Sequence, residues 1–280
     1  MSILHETYTL HNGITIPKIG FGTAPLKGDE AYQTVSHAIK AGYRHIDTAA
    51  IYGNEEDVGR AVRDSGVSRE ALFITSKLDA SIKSYDEAID AFHESLKRLG
   101  MEYLDLYLIH APWPWNEKFS NHFAGNVQAF KALEKLYEQG LVKAIGVSNF
   151  DPDDIRNIID HCSMVPHVNQ IKYHIGHPQK ATRALCERHS ILLEAYSPLG
   201  RGEVLSDGRV LAIAKKHGIS AAQLCIRYVL EKNALPLPRS SKPAHIKANA
   251  EVDFTLPDAD IRALDMLDIH SIEFGTPKKP

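Results

Sequence analysis

Short apolar runs and amphipathic helical segments take turns along this chain, and that alternation restricts its possible folds more than any other feature. The runs fall at residues 19–22, 44–47, 72–76, 104–109, 143–147, 167–171, 191–196 and 234–237. Between them, apolar residues recur every three or four positions: Ala31, Val35 and Ala38 before Gly42; Ile89, Phe92, Leu96 and Leu99 before Gly100; Val127, Phe130, Leu133 and Leu136. Such spacing places one apolar stripe along a helix, and the glycines mark helix ends. Asp151-Pro152 has the form of an N-cap followed by a first-turn proline, and Ser220-Ala221-Ala222-Gln223 that of a capping box.

Eight strand–helix alternations without a linker or a shift in composition predict one α/β domain over residues 1–280, a single (β/α)8 TIM barrel with two extra helices. The run at 234–237 fits least well, because Pro236 removes a ladder donor from what should be a closed sheet. Ahead of the barrel, Asn12-Gly13 separates Tyr8-Thr9-Leu10-His11 from Ile14-Thr15-Ile16. This predicts a β-hairpin with a two-residue type I′ turn, both central residues at positive φ, closing the bottom of the fold. A last helix near 259–267 precedes a tail ending Pro277-Lys278-Lys279-Pro280.

A chain of 280 residues that is 44% hydrophobic can bury one large core. With 32 basic and 35 acidic residues, its net charge of −3 points to neither nucleic acid nor an anionic membrane. There is no run of ~20 apolar residues and no basic–apolar leader at the N-terminus. Cys162, Cys186 and Cys225 are odd in number and form no CxxC, so a reducing cytoplasm is expected, with no zinc site. His174-Ile175-Gly176-His177 is the closest histidine pair, but no further ligand stands at metal spacing, and no metal is expected.

Four polar residues sit just past strand ends: Asp47, Tyr52, Lys77 and His110. In a parallel barrel, such positions converge on one mouth, so residues distant in sequence can form a proton-transfer set. Taken singly, each has a plainer reading as packing residue, solvated cation or satisfied core histidine. Their repeated placement at successive strand ends is what favours the joint one.

These stretches resemble the aldo-keto reductase family, in its bacterial-type members, over nearly the whole chain. The likeness is carried by Gly42-Tyr43-Arg44-His45-Ile46-Asp47-Thr48-Ala49 with Tyr52, by 142–150, by Val168-Asn169-Gln170, by Tyr196-Ser197-Pro198-Leu199-Gly200 and by 238–249. It implies reduction of a small-molecule carbonyl by NADPH, bound without a Rossmann domain, by a cytoplasmic monomer. Gly20-Phe21-Gly22 agrees with that absence, since Pro25 stands where a dinucleotide fingerprint needs its third glycine.

By the resemblance, Tyr52 is the proton donor, Lys77 its electrostatic partner, Asp47 the counter-charge and His110 the group that orients the substrate oxygen. A phenol ordinarily titrates near ~10. An ammonium at ~4 Å contributes about 4 kcal/mol at an effective dielectric of 20, so the expectation is a phenol loosened by a few pH units. Gly22, Thr23, Ser148, Asn149, Gln170, Tyr196, Ser197, Leu199 and Gly200 match cofactor positions, the nicotinamide carboxamide falling to Ser148, Asn149 and Gln170 and its ring to Tyr196. The plainer alternatives are a helix cap for Ser148 or Asn149 and core packing for Tyr196.

The adenosine 2′-phosphate is expected near Arg239, Ser240, Ser241, His245 and Asn249. Here the chain departs from the family pattern, with Arg239 where lysine is common and His245, a weaker cation near neutral pH, where arginine is common; this leaves NADH use open. Ala24, Asp79 and Ala111 replace aromatic pocket residues, with Trp113 and Trp115 available to refill the space, so a roomy substrate pocket is expected. The rival reading is an NADPH-binding regulatory or sensor subunit of the same fold with little turnover.

Overall fold

The computed structural model describes residues 2–269; the C-terminal tail lies outside the described residues. A two-stranded hairpin, β1 (Thr7–Thr9) and β2 (Thr15–Pro17), comes first. The barrel follows, with β3 (Phe21–Gly22), α1 (Gly28–Lys40), β4 (His45–Asp47), α2 (Glu55–Asp64), β5 (Phe73–Leu78), α3 (Tyr85–Leu99), β6 (Leu104–Ile109) and α4 (Phe123–Glu138). Its second half comprises β7 (Val142–Ser148), α5 (Pro152–His161), β8 (Val168–Lys172), α6 (Lys180–Arg188) and β9 (Leu192–Tyr196). There follow α7 (Glu203–Ser206), α8 (Gly208–Lys216), α9 (Ala221–Glu231), β10 (Leu235–Leu237), α10 (Pro243–Ala250) and α11 (Asp258–Asp265). The two extra helices are α8 and α11, with α7 a single additional turn. No helix among the described residues is long and apolar enough to cross a membrane.

The eight strands β3 to β10 pair in parallel, in chain order. The first and last meet through Gly20 N donating to the Pro236 carbonyl and Gly22 N to the Pro238 carbonyl, each at 3.1 Å. This seam explains how Pro236 is tolerated. In a strand, a residue's N–H and C=O point the same way, so the donors missing from Pro236 and Pro238 are missing only toward β3. Their carbonyls still accept, and the seam closes one-sidedly.

The hairpin plugs the end of the barrel where strands begin. Leu10 and Ile16 pack with Phe73, Leu106, Leu108, Ala144, Val168, Leu235 and Leu237 in an apolar floor. Asn12 donates to the Lys143 carbonyl at 3.0 Å, tying the turn to the start of β7. The turn differs from the expected type I′. Leu10 N bonds the Ile14 carbonyl and Gly13 N the Leu10 carbonyl, and only Gly13 has positive φ, at 86°. The loop is therefore three residues, a type I turn completed by a left-handed glycine. Asn-Gly marked the hairpin correctly, but the hydrophobic register of Tyr8 opposite Ile16 set the loop length.

The two expected helix starts form as read: Asp151 accepts from Asp153 N and Asp154 N, and Ser220 from Gln223 N. Outside the barrel, Glu55 in the first turn of α2 is buried and accepts from Ser76 Oγ and from Arg98 Nε at 2.6 Å, joining α2 to β5 and α3. Where α2 crosses the end of α3, a Cβ on Gly59 would fall 2.0 Å from the Leu99 carbonyl oxygen. Alanine there gains helix propensity but forces the helices apart, so Gly59→Ala is expected to destabilise the protein by about 1–3 kcal/mol in urea unfolding. Unchanged or raised stability would show that the crossing is not backbone-limited.

Candidate active site

Side chains alternate between barrel interior and helix layer along each strand. In β5, Phe73, Thr75 and Lys77 face inward, so Lys77 emerges above the apolar floor, next to Asp47 at the end of β4. Asp47 and Lys77 are buried, with Lys77 wholly inaccessible. Lys77 Nζ donates to Asp47 Oδ1 at 2.7 Å and Oδ2 at 2.8 Å, and to the Thr48 carbonyl at 2.9 Å. It lies 3.5 Å from the Tyr52 hydroxyl. The 3-10 turn Ala50–Tyr52 carries the phenol there, ended by Gly53 in the left-handed region. Across the mouth, the rings of Tyr52 and His110 meet edge to face at 5.5 Å.

Electrostatics refine the expectation for the phenol. Burial raises the Tyr52 pKa and outweighs the pull of Lys77 in the other direction, while Asp47 adds to the rise. The resting phenol is thus held protonated rather than loosened. The ammonium alone would loosen the phenol, but desolvation penalises phenolate in the same buried site and prevails. Burial would also draw Lys77 toward the neutral amine, but Asp47 and Tyr52 reverse this and leave its pKa raised. His110 is driven well below the ordinary imidazole value by burial and by Lys77. Its ring is neutral, and its buried Nδ1 has no partner. The mouth therefore holds a neutral phenol, a charged ammonium and a neutral imidazole.

The other residues singled out lie at the same rim. Thr23 is buried and donates to the Asp47 carbonyl at 2.9 Å, between half-buried Gly22 and Ala24. Ser148 donates to the Gln170 carbonyl at 2.8 Å. Asn149, at φ 62°, donates to the His110 carbonyl at 2.9 Å and accepts from the Tyr196 hydroxyl at 2.7 Å. Strained backbone of this kind persists where neighbours over-determine it, and here Asn149 knits three strand ends together. Ser197 also has positive φ, and Leu199 and Gly200 lead into a short 3-10 turn. Arg239, Ser241 and His245 are exposed around the amino end of α10, Ser240 is half-buried, and Asn249 is buried in its last turn. Lys242 caps that helix without a side-chain acceptor and Pro243 opens it; His245 N and Ile246 N both donate to the Lys242 carbonyl, which leaves the Ala244 N–H to face an anion beside the exposed cations.

Ala111 is fully buried and presents no surface to the mouth. Trp115 packs edge-on against His110 at 5.3 Å, and Trp113 against Trp115 at 5.4 Å, so aromatic rings stand beside the imidazole on the loop after β6. Asp79 spends Oδ1 on the backbone and hydroxyl of Ser81. Sequence reading also missed Lys83, which burial pulls down to about 8. Lys83 donates to the Ala111 carbonyl and to Asn126, whose amide holds the Pro112 carbonyl, so the loop after His110 is pinned from below. A lysine just before a helix gives no sign of that in sequence.

The sequence and the fold both match known proteins along nearly the whole chain. The aldo/keto reductase family model matches residues 18–269. Glyoxal reductase of Bacillus subtilis is 42% identical over 266 residues, covering 94% of this chain and 93% of that protein. The crystal structure of an aldo/keto reductase from Brucella melitensis superposes with a TM-score of 0.88 at 42% identity, over 93% of this chain and 97% of that one. A Bombyx mori aldo-keto reductase solved in complex with NADP gives 0.87 at 32% identity, over 96% and 95% of the two chains. With eight parallel strands in a barrel and this match along nearly its full length, the chain belongs to the aldo-keto reductase family.

Proposed function

We propose that the protein is an NADPH-dependent carbonyl reductase that converts small aldehydes, α-dicarbonyls or keto-sugars to alcohols, with Tyr52 as general acid. The observation that carries this reading is the buried ammonium of Lys77, compensated by Asp47 and 3.5 Å from a phenol at the barrel mouth. A bound reduced nicotinamide supplies hydride to the carbonyl carbon. Charge then develops on the substrate oxygen, and a donor within hydrogen-bond reach is required. Tyr52 gives up its proton there, and Lys77 stabilises the phenolate that results. Its field acts on a charge that exists only as the reaction proceeds, so a phenol held protonated at rest is the right reactant. Neutral His110, its ring edge to face with Tyr52 at the mouth, is suited to orient the same oxygen.

The residues present fit the cofactor. Gln170 uses its amide nitrogen inward and keeps its carbonyl oxygen for a carboxamide, with Ser148 and Asn149 alongside; Tyr196 offers a half-buried ring. The uncapped start of α10, with Arg239, Ser241, Lys242 and His245, suits a phosphate. Support for the substrate class comes from the aromatic wall and from a relative named glyoxal reductase. All three cysteines are unpaired, as a reducing compartment would leave them.

Tyr52→Phe is expected to lower NADPH oxidation with glyoxal as substrate by roughly 10²–10⁴-fold while NADPH still quenches protein fluorescence. Unchanged turnover would remove Tyr52 from its role. Wild-type protein that binds NADPH yet reduces no carbonyl would favour the sensor reading instead. For the phosphate site, Arg239→Ala should weaken NADPH roughly tenfold and NADH far less, read from KM for each cofactor. Equal loss for both would place the phosphate elsewhere.

A further inference from the structure

Glu194 takes no part in the chemistry above, yet it lies within the barrel beneath it. Its side chain is wholly buried and faces inward from β9. Gln170 Nε2 donates to Glu194 Oε2 and to Asp47 Oδ2, both at 2.8 Å. An ionised Asp47 can only accept, so the nitrogen must be the amide atom between the two carboxyls. Both amide hydrogens are then spent inward, and the carbonyl oxygen is left over.

The charges decide the state of Glu194. Facing it are Asp47 and His45 from β4, Lys77 from β5 and Gln170 from β8, while β10 presents Leu235 and Leu237. The single ammonium is already matched by Asp47, so a second carboxylate would stand uncompensated in a dry interior. His45 Nε2 is 3.9 Å from Glu194 Oε1, but burial and Lys77 push that imidazole down to about 3, so the contact is not ionic. Burial and Asp47 push the Glu194 carboxyl up to about 8, against the opposing pull of Gln170 and Lys77.

We propose that Glu194 is a positioning residue, a neutral carboxylic acid that fixes the Gln170 amide so that Asp47 is held under Lys77 and the Gln170 carbonyl faces the nicotinamide site. This rests on the functional reading of the four mouth residues. The first test does not need activity. An acid whose folded pKa lies above its ordinary value of 4.5 binds more protons folded than unfolded from there up to about 8. Its contribution to stability is complete at the acid end and is lost as pH rises through that window. In urea unfolding from about pH 5 to pH 8, the wild-type midpoint should fall relative to that of Glu194→Gln, which is neutral throughout. Parallel curves would overturn the proposal.

The second test separates positioning from mere packing. Glu194→Leu, which leaves one of the two Gln170 amide hydrogens without an acceptor, should raise the KM for NADPH roughly tenfold with a smaller change in kcat, and Glu194→Gln should restore it. A Gln variant as impaired as the Leu variant would overturn the proposal. Should the wild type reduce no carbonyl, the functional reading fails, and the stability curves alone judge Glu194.

Discussion

An ammonium wholly buried inside a barrel is the constraint around which the rest of this structure is arranged. Desolvating Lys77 costs several kcal/mol, and only close carboxylate contact with further hydrogen bonding offsets it. Asp47 provides two contacts and Thr48 a third. Asp47 must itself be held, which Gln170 does from within and Thr23 through the adjacent backbone. Removing either charge strands the other, so the pair is an obligate unit, and replacing both with apolar groups would serve stability as well. Its retention makes sense if the charge is used, and the phenol 3.5 Å away is where it can act.

Above that pair the loops are fixed by polar contacts rather than by packing alone. Asn149 reaches His110 and Tyr196, and Lys83 with Asn126 holds the two residues after His110. Trp115 then closes the far side of the imidazole. A neutral phenol and a neutral imidazole are thereby presented to the mouth in fixed positions, with the nearby positive charge set one step below. Under the proposed function this amounts to electrostatic preorganisation, the field being in place before any charge develops on a bound molecule.

Much of this was legible in the sequence, for identifiable reasons. Helices such as α3 declare themselves because one face is apolar, and strand ends declare themselves where an apolar run stops at Asp47, Lys77 or His110. The last strand forms despite its prolines because they face a seam that needs only their carbonyls. The hairpin was visible in Asn12-Gly13, though its turn type was not, since cross-strand register decided that. Strands buried on both faces give no mark of which residues point inward, so the polar layer that His45, Thr75 and Glu194 form beneath Gln170 was hidden. One signal was available: a lone carboxylate inside the run 191–196 must find a partner. The protonation of the resting phenol was not legible, because desolvation depends on burial, which spacing does not reveal.

The account stands or falls on Lys77 remaining charged. With ¹⁵N-labelled lysine and a Lys77→Met spectrum for assignment, NMR can follow its side-chain nitrogen through alkaline titration. The account predicts that Lys77 keeps its proton beyond the pH near ~10.4 where ordinary lysines lose theirs. Loss of that proton below the ordinary lysine range in the wild-type protein would contradict it.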